Sequence, residues 1–175
     1  PEGGEIFRDD SGEPTGVLAE RPAQNLVGES IPPKTVDDLV KGLQSASRNY
    51  VKAGVTSTND GGYFEGLNGL LAYQKAYASG DFLVRVYADV YYELLERVLD
   101  KGENLNKLRI CSGCGDEWLK IGAAKIIQDG SIQALTGALN EPYQCDSSRT
   151  GILIDHKVTL DELVLKYHKA GFQLQ

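Results

Sequence analysis

The stretch that most limits what this chain can become is Leu119-Lys-Ile-Gly-Ala-Ala-Lys-Ile-Ile-Gln-Asp-Gly-Ser131. A short, Ile-rich apolar run flanked by charges and stopped by Asp129-Gly130 reads as a buried strand ending in a tight turn. Side chains alternate along a strand, so Ile121, Ala123, Lys125, Ile127 and Asp129 are expected on one face, with Gly122, Ala124, Ile126 and Gln128 on the other. Lys125 is then an ammonium group inside a buried strand. Burial disfavours its charged form, which leaves a paired lysine, a snorkelling one, or a neutral amine kept for chemistry.

The rest of the pattern supplies neighbours for that strand. Glu5 to Arg8 and Thr15 to Leu18, around the turn cluster Asp9-Asp-Ser-Gly12, predict a small β-hairpin, and Gln24 to Pro33 a loop. Thr35 is a candidate N-cap for a helix whose apolar residues include Leu39, Val40, Leu43 and Tyr50, with Asp37 and Asp38 in its first turn and Gly54 at its end. Val55 to Asn59 predicts a strand and about Phe64 to Ala78 a helix. Phe82 to Asp89 alternates as a strand, with Val84, Val86 and Ala88 on one face and Arg85, Tyr87 and Asp89 on the other, where Arg85 would need an anionic partner. Tyr91 to Lys101 predicts a helix and Leu105 to Glu117 an irregular stretch. Asp129 to Gly151 has no durable period, and a loop that long is more often functional than accidental. Thr159-Leu-Asp-Glu162 is a capping box opening a helix to Ala170, and Phe172 to Gln175 begins another strand. Strands alternating with helices are the grammar of βα units and a parallel sheet.

The run Ile121-Gly-Ala-Ala-Lys-Ile-Ile-Gln-Asp-Gly-Ser131, followed by Thr136-Gly-Ala138 and Glu141-Pro-Tyr143, resembles the central motif of the amidohydrolase superfamily, in the branch called amidohydrolase family 3. Pro1 to Asp9 with Gly12 to Leu18, Ala53-Gly-Val-Thr-Ser57, and Ala170-Gly-Phe-Gln173 are similar to three further segments of that branch, in the same order. The resemblance implies an α/β fold: a partial (β/α)8 TIM barrel of about strands two to five with their helices, residues 34–175, preceded by a hairpin excursion over residues 1–33. It implies a metal-dependent hydrolase that cleaves a non-peptide carbon–nitrogen bond of an amide, imide or N-acyl compound by metal-activated water. It assigns to Lys125 the role of a carbamate bridging two ions, zinc or another divalent metal, in the intact enzyme. The same family uses a His-x-His pair, two further histidines and an aspartate that the sequence does not contain at matching places. The chain, which begins at proline and is short against the ~250 residues of a complete barrel, is therefore expected to be an excised piece, inactive and metal-free by itself.

Composition narrows the partners. With 25 acidic against 18 basic residues the net charge is −7, which argues against nucleic acid, since phosphate binding needs a basic face. No window reaches the ~20 apolar residues of a membrane span and no leader is present, so no membrane partner is expected and the cytoplasm is the expected compartment, with export left open. The expected partner of the intact protein is a small amide-type substrate, and a partial barrel with unpaired strand edges is expected to self-associate, as a dimer, or to depend on its missing halves. Cys111-Ser-Gly-Cys114 has redox or zinc-knuckle spacing, with Cys145 elsewhere. Ordinary thiols are the default for the pair, and a disulfide stays open.

Barrel enzymes work at the carboxyl ends of their strands, which selects Asn59, Asp60, Asp89, Lys125 and Asp129. Asp129, Gly130 and Ser131, with Asp60 more weakly, are the candidate substrate-binding residues, although Asp129-Gly130 is equally readable as a strand-ending Asx turn. Thr136 and Arg149 are loop residues within reach of a substrate but without a defined role. His156 and His168 fall outside strand ends and are read as solvated or helix-face histidines. Two rivals accompany the hydrolase: a Schiff-base lysine barrel enzyme, which also needs a neutral strand-end amine, and a non-catalytic barrel-derived binding or regulatory module.

Overall fold

A computed structural model describes residues 3–28, 30–62, 66–99, 110–154 and 159–175. They divide into two compact units, residues 1–33 with 127–157 and residues 34–126 with 158–175. In the first unit β1 (Glu5–Arg8) and β2 (Pro14–Ala19) form the expected antiparallel hairpin, with Glu5 opposite Ala19 and Arg8 opposite Pro14. Asp9 organises its turn by accepting the N–H groups of Ser11 and Glu13 at 2.9 and 3.0 Å. Helix α1 (Glu20–Gly28) follows directly, where a loop was expected from Gln24. Pro22 lies in its first turn, where a missing N–H costs no helical hydrogen bond, and Ala23 is fully buried.

The second unit holds the parallel sheet. Strands β3 (Ser57–Asp60), β4 (Arg85–Tyr91) and β5 (Leu119–Lys125) lie in sequence order, all parallel. Residues 172–175 add a parallel segment beside β5, with Ala124 N–H to Gln173 O at 2.8 Å and Gln175 N–H to Ala124 O at 3.1 Å. Between the strands run α2 (Val36–Lys52), α3 (Leu67–Ala78), α4 (Tyr92–Leu99) and α5 (Leu160–Lys169). Helices α2 and α5 begin at capping boxes in which Thr35 and Thr159 exchange hydrogen bonds with Asp38 and Glu162, and each satisfies first-turn N–H groups that otherwise lack partners. Among the described residues no helix is long and apolar enough to cross a membrane.

The core lies on one face of the sheet. Val84, Val86, Ala88 and Val90 meet Tyr73 and Ala76 of α3, Leu95 of α4, and Leu163 and Tyr167 of α5, with Phe82 and Phe172 closing the ends. At roughly 1.5–3 kcal/mol for each large apolar side chain fully buried, this cluster dominates the stability of the unit. Alternation of apolar residues through Val90 carries β4 two residues past Asp89, where the strand was expected to end, so α4 begins at Tyr92. The opposite face carries Arg85, Tyr87 and Asp89. Arg85 has an aromatic partner in place of the expected anion, its guanidinium lying 5.0 Å from the centre of the Trp118 ring.

Phenols in and beside the core fasten helices to strands and to one another. The Tyr73 hydroxyl donates to Asp60 Oδ2 at 2.7 Å, that of Tyr77 reaches the Val84 and Trp118 carbonyls, and that of Tyr167 is shared by the Glu96 carboxylate and the Tyr92 carbonyl. Burial raises all three pKa values above the ordinary 10, Tyr77 to about 12, and the neighbouring Asp60 and Glu96 carboxylates push Tyr73 and Tyr167 further. The unfolded chain releases these protons near 10 while the folded one keeps them. Their stabilisation is therefore complete below about pH 10 and is lost as the pH rises through the folded values. Urea midpoints are expected to stay level up to about pH 9 and fall above about pH 10. Over the same alkaline range, part of the tyrosinate absorbance is expected to appear only together with loss of the circular dichroism signal.

Candidate functional site

Three parallel strands deliver their last residues to one edge of the sheet: Asp60 from β3, Tyr91 from β4 and Lys125 from β5. Lys125 stands directly opposite Tyr91 in the ladder. It is half-buried, and among the described residues of its own unit its Nζ has no hydrogen-bond or ion-pair partner. The paired-lysine reading therefore finds no support within that unit. Asp60 is held firmly: Oδ2 accepts from Tyr73, and Oδ1 accepts from the Gly62 N–H at 3.3 Å. Gly62, at φ +133°, packs under the Tyr91 ring so closely that an added Cβ would stand 2.6 Å from Tyr91 Cε2. Only glycine fits there, and the contact clamps the exit of β3 onto the end of β4. Asn59, by contrast, is exposed. Asp60 and Tyr73 also border a cleft of 540 Å3 between α2 and α3, lined by Leu39, Leu43 and Ala46, which Lys125 does not line.

Asp89 is not at a strand end but buried in mid-strand, 1% exposed. Its Oδ1 accepts the Ala123 N–H at 2.7 Å, and its Oδ2, also buried, has no hydrogen-bond partner among the described residues. The ladder pairs Ala88 with Ile121 and Val90 with Ala124, so two steps along β4 match three along β5. The extra residue is a β-bulge, and the Asp89 carboxylate takes the N–H that the interrupted ladder leaves over. Gly122 makes room for it, since a Cβ there would lie 2.1 Å from Asp89 Oδ1. The expected sharing of one face by Ile121, Ala123, Lys125, Ile127 and Asp129 is corrected by this bulge. Leu119 and Ile121 pack on the helix-side core, and so do Ala124 and Ile126 beyond it, which turns Lys125 to the opposite face. Ile127 and Asp129 lie past the end of the strand.

In the first unit, Asp129-Gly130-Ser131 opens a loop built from its own polar groups. Asp129 Oδ2 accepts the Ala138 N–H at 2.8 Å, the Gly130 N–H reaches Thr136 O at 3.2 Å, and the Ser131 N–H reaches Thr136 Oγ1 at 3.0 Å. Thr136, fully buried, donates its hydroxyl to the Glu20 carboxylate. Gly130 sits where a Cβ would meet Thr136 Oγ1 at 2.2 Å and Glu20 Oε1 at 2.4 Å. Arg149 is occupied by Glu5 at 3.1 Å, by Asp146 at 3.3 Å and by the Phe7 ring.

Glu20 and Tyr91 escaped the sequence reading. Nothing in the local pattern marks Glu20, which adopts a left-handed φ of 63° at the start of α1. Tyr91 was findable, because Val90 continues the alternation of β4 and places the next residue at the strand end. His168 is exposed in the last turn of α5, and His156 lies outside the described residues. Among the described residues no three His, Cys, Asp or Glu side chains come together as a metal site. Of the groups at the sheet edge, Lys125 fits a metal only as one ligand of a larger set.

A mixed α/β unit with a parallel sheet gathers a lysine, a tyrosine and an aspartate at the carboxyl ends of its strands, the side on which open parallel sheets bind ligands. A family model described as "Amidohydrolase family" matches residues 1–175, and the chain belongs to that family. It is 33% identical to the putative amidohydrolase YtcJ of Bacillus subtilis (strain 168), covering 99% of this chain and 31% of the relative. It is 30% identical to the protein LONG AFTER FAR-RED 3 of Arabidopsis thaliana, covering 99% and 30%. Its fold is similar to those of uncharacterized metal-dependent hydrolases from Pyrococcus horikoshii OT3 and Pyrococcus furiosus, with TM-scores of 0.65 and 0.66 at 23% identity, over 97% of this chain and 33% and 34% of theirs. The chain thus spans about a third of the length of the proteins it matches.

The bulge yields a stability test. Asp89→Ala strips the Ala123 N–H of its acceptor and is expected to cost about 1–3 kcal/mol. Gly122→Ala overpacks the same spot at a similar cost of roughly 1–3 kcal/mol. Asp89→Ala removes the nearest clash with the new methyl but not those with Ala88 C and Asp89 N at 2.9 Å, so the double variant should lose somewhat less than the sum of the two in urea unfolding.

Proposed function

We propose that the protein containing this chain is a metal-dependent hydrolase that cleaves a carbon–nitrogen bond other than a peptide bond, in a small amide, imide or N-acyl compound. In this reading the parallel sheet is part of a (β/α)8 barrel, and its carboxyl edge faces the substrate. One observation carries it: in a chain of the amidohydrolase family, Lys125 is half-buried on the last position of β5, opposite Tyr91 and without a carboxylate partner in its unit. An amine so placed is available to add carbon dioxide, giving a carbamate whose oxygens are anionic ligands. A divalent metal, with zinc the leading candidate, would when bound supply Lewis acidity and a more acidic water. Tyr91 and Gly62 hold the neighbouring strand ends in place, and Tyr73 fixes the orientation of Asp60, a candidate contact for substrate. Asp129, Gly130 and Ser131, in the other unit, are kept as candidate substrate contacts on their residue types alone, since the Gly130 and Ser131 N–H groups are bonded within their own loop. The remaining metal ligands are assigned to residues outside this chain, which alone carries too few to be active.

Lys125→Ala in the full-length protein tests the reading. Hydrolysis of a panel of N-acyl amides is expected to fall by more than about a hundredfold, beyond what loss of an outer-shell contact causes, with a matching drop in bound metal. A 13C carbamate resonance seen in labelled bicarbonate should vanish in the same variant. Unchanged activity and metal content would remove Lys125 from the site.

A further inference from the structure

The stretch leading into β5 carries two thiols that the hydrolytic reading leaves unused. Cys111 and Cys114 flank a tight turn closed by the Cys114 N–H on the Cys111 carbonyl at 3.2 Å, with Gly113 at φ +85° making the reversal. The turn brings the two Sγ atoms to 2.9 Å. It is tied to β5 on both sides, by the Gly113 N–H on Ile121 O at 2.8 Å and the Ile121 N–H on Cys114 O at 2.7 Å. Between the cysteines, the Ser112 hydroxyl donates to Gly122 O at 2.7 Å and accepts the Gln173 N–H at 2.8 Å. In a regular parallel ladder that N–H would bond Gly122 O directly, so the turn is wedged into the sheet and its shape is imposed by the fold.

Such a frame suits one chemistry. A disulfide needs sulfurs ~2.05 Å apart, so closure asks for about an ångström of movement, within reach of a side-chain rotation. Both thiols are half-buried, open enough for a small reagent. A zinc site would need two further ligands, and among the described residues no third His, Cys, Asp or Glu joins the pair.

We infer that Cys111 and Cys114 are a redox-active dithiol, closed to an intramolecular disulfide by low-molecular-weight disulfides of the glutathione class and reopened by the corresponding thiols. The sulfurs stand 2.9 Å apart, so either thiol can resolve what the other begins, and the step is the same with Cys114 as the attacking group. Its thiolate breaks the reagent's S–S bond, forming a mixed disulfide and expelling one thiolate, which takes up a proton. Cys111 then loses its proton and attacks the Cys114 sulfur, breaking the mixed disulfide and releasing the second reagent thiol. Two protein thiols are oxidised by two electrons and one reagent disulfide is reduced to two thiols.

The test is independent of hydrolysis. The full-length protein is treated with oxidised glutathione, alkylated with iodoacetamide, digested and mapped by mass. The peptide spanning Cys111 and Cys114 is expected to lack both alkyl groups, to weigh two hydrogens less than the dithiol, and to regain both alkyl groups after dithiothreitol treatment. Cys145, exposed, reports on reagent access. In Cys111→Ser the reaction should stop with one glutathione on Cys114. Two alkyl groups on the wild-type peptide at an oxidant dose that modifies Cys145, or two glutathiones without closure, would overturn the inference.

Discussion

The placement of Lys125 depends on one hydrogen bond in the middle of the sheet, from the Ala123 N–H to the Asp89 carboxylate. A regular strand that buries Leu119 and Ile121 against the helices would carry Ala123 and Lys125 to the same side. The amine would then stand among Val90, Leu163 and Tyr167, where desolvation of an ammonium costs several kcal/mol. Inserting one residue opposite Asp89 reverses the parity, so Ala124 and Ile126 take the core positions and Lys125 faces away. Burying a carboxylate with one oxygen unpartnered among the described residues is itself costly. A sheet built only for stability would carry an apolar residue at Asp89 and no bulge. The device makes sense where the destination of Lys125 matters more than the cost.

Much of this was legible in the sequence, in proportion to how local the cause is. The capping box at Thr159 and the cap at Thr35 sit where the sequence predicts them, and Asp38 completes a box at Thr35 as well, because a hydroxyl and a carboxylate three residues apart suffice to make one. The three parallel strands emerge from apolar runs between helical stretches. The facing of Lys125 was not legible, because counting by twos assumes an unbroken pleat and a bulge is a property of two strands. Its signals were present separately: Gly122 inside an apolar strand, and Asp89 inside an alternating one. Neither identifies the other until the strands are laid side by side. Helix α1 was missed for a different reason, since Gln24 to Pro33 was read as a loop on the strength of its Ile31-Pro-Pro33 end, which lies beyond the helix.

Long-range polar ties explain why the edge residues keep their positions. Tyr73 reaches from α3 to Asp60, Tyr77 from the same helix to the carbonyl of Val84, just ahead of β4, and to that of Trp118, just ahead of β5, and Tyr167 from α5 to Glu96 of α4. Each phenol contributes apolar area to the core and one directional bond at its rim, so the helices cannot slide along the sheet without breaking both. In the other unit, side chains again replace a regular ladder: Thr136 and Asp129 accept backbone N–H groups of a loop with no hydrophobic period, and Glu20 accepts the Thr136 hydroxyl. Periodicity cannot report such a structure, since its order comes from polar bonds, local ones such as Asp129 to the Ala138 N–H and distant ones such as Thr136 to Glu20.

Gly122 joins two features that look unrelated in the sequence. Its missing side chain admits the Asp89 carboxylate, and its carbonyl receives the Ser112 hydroxyl from the turn between the two cysteines. The bulge that orients Lys125 and the wedge that carries the thiols therefore share one peptide unit, three residues before the lysine. A change in the shape of the Cys111–Cys114 turn acts on β5 through Ser112 at Gly122 O and the Gln173 N–H, and through Gly113 and Cys114 at Ile121. Gly122 thus takes a bond from the turn on one side and the Asp89 carboxylate on the other. A sequence can place both on one strand's approach, but only the bulge makes them neighbours in effect.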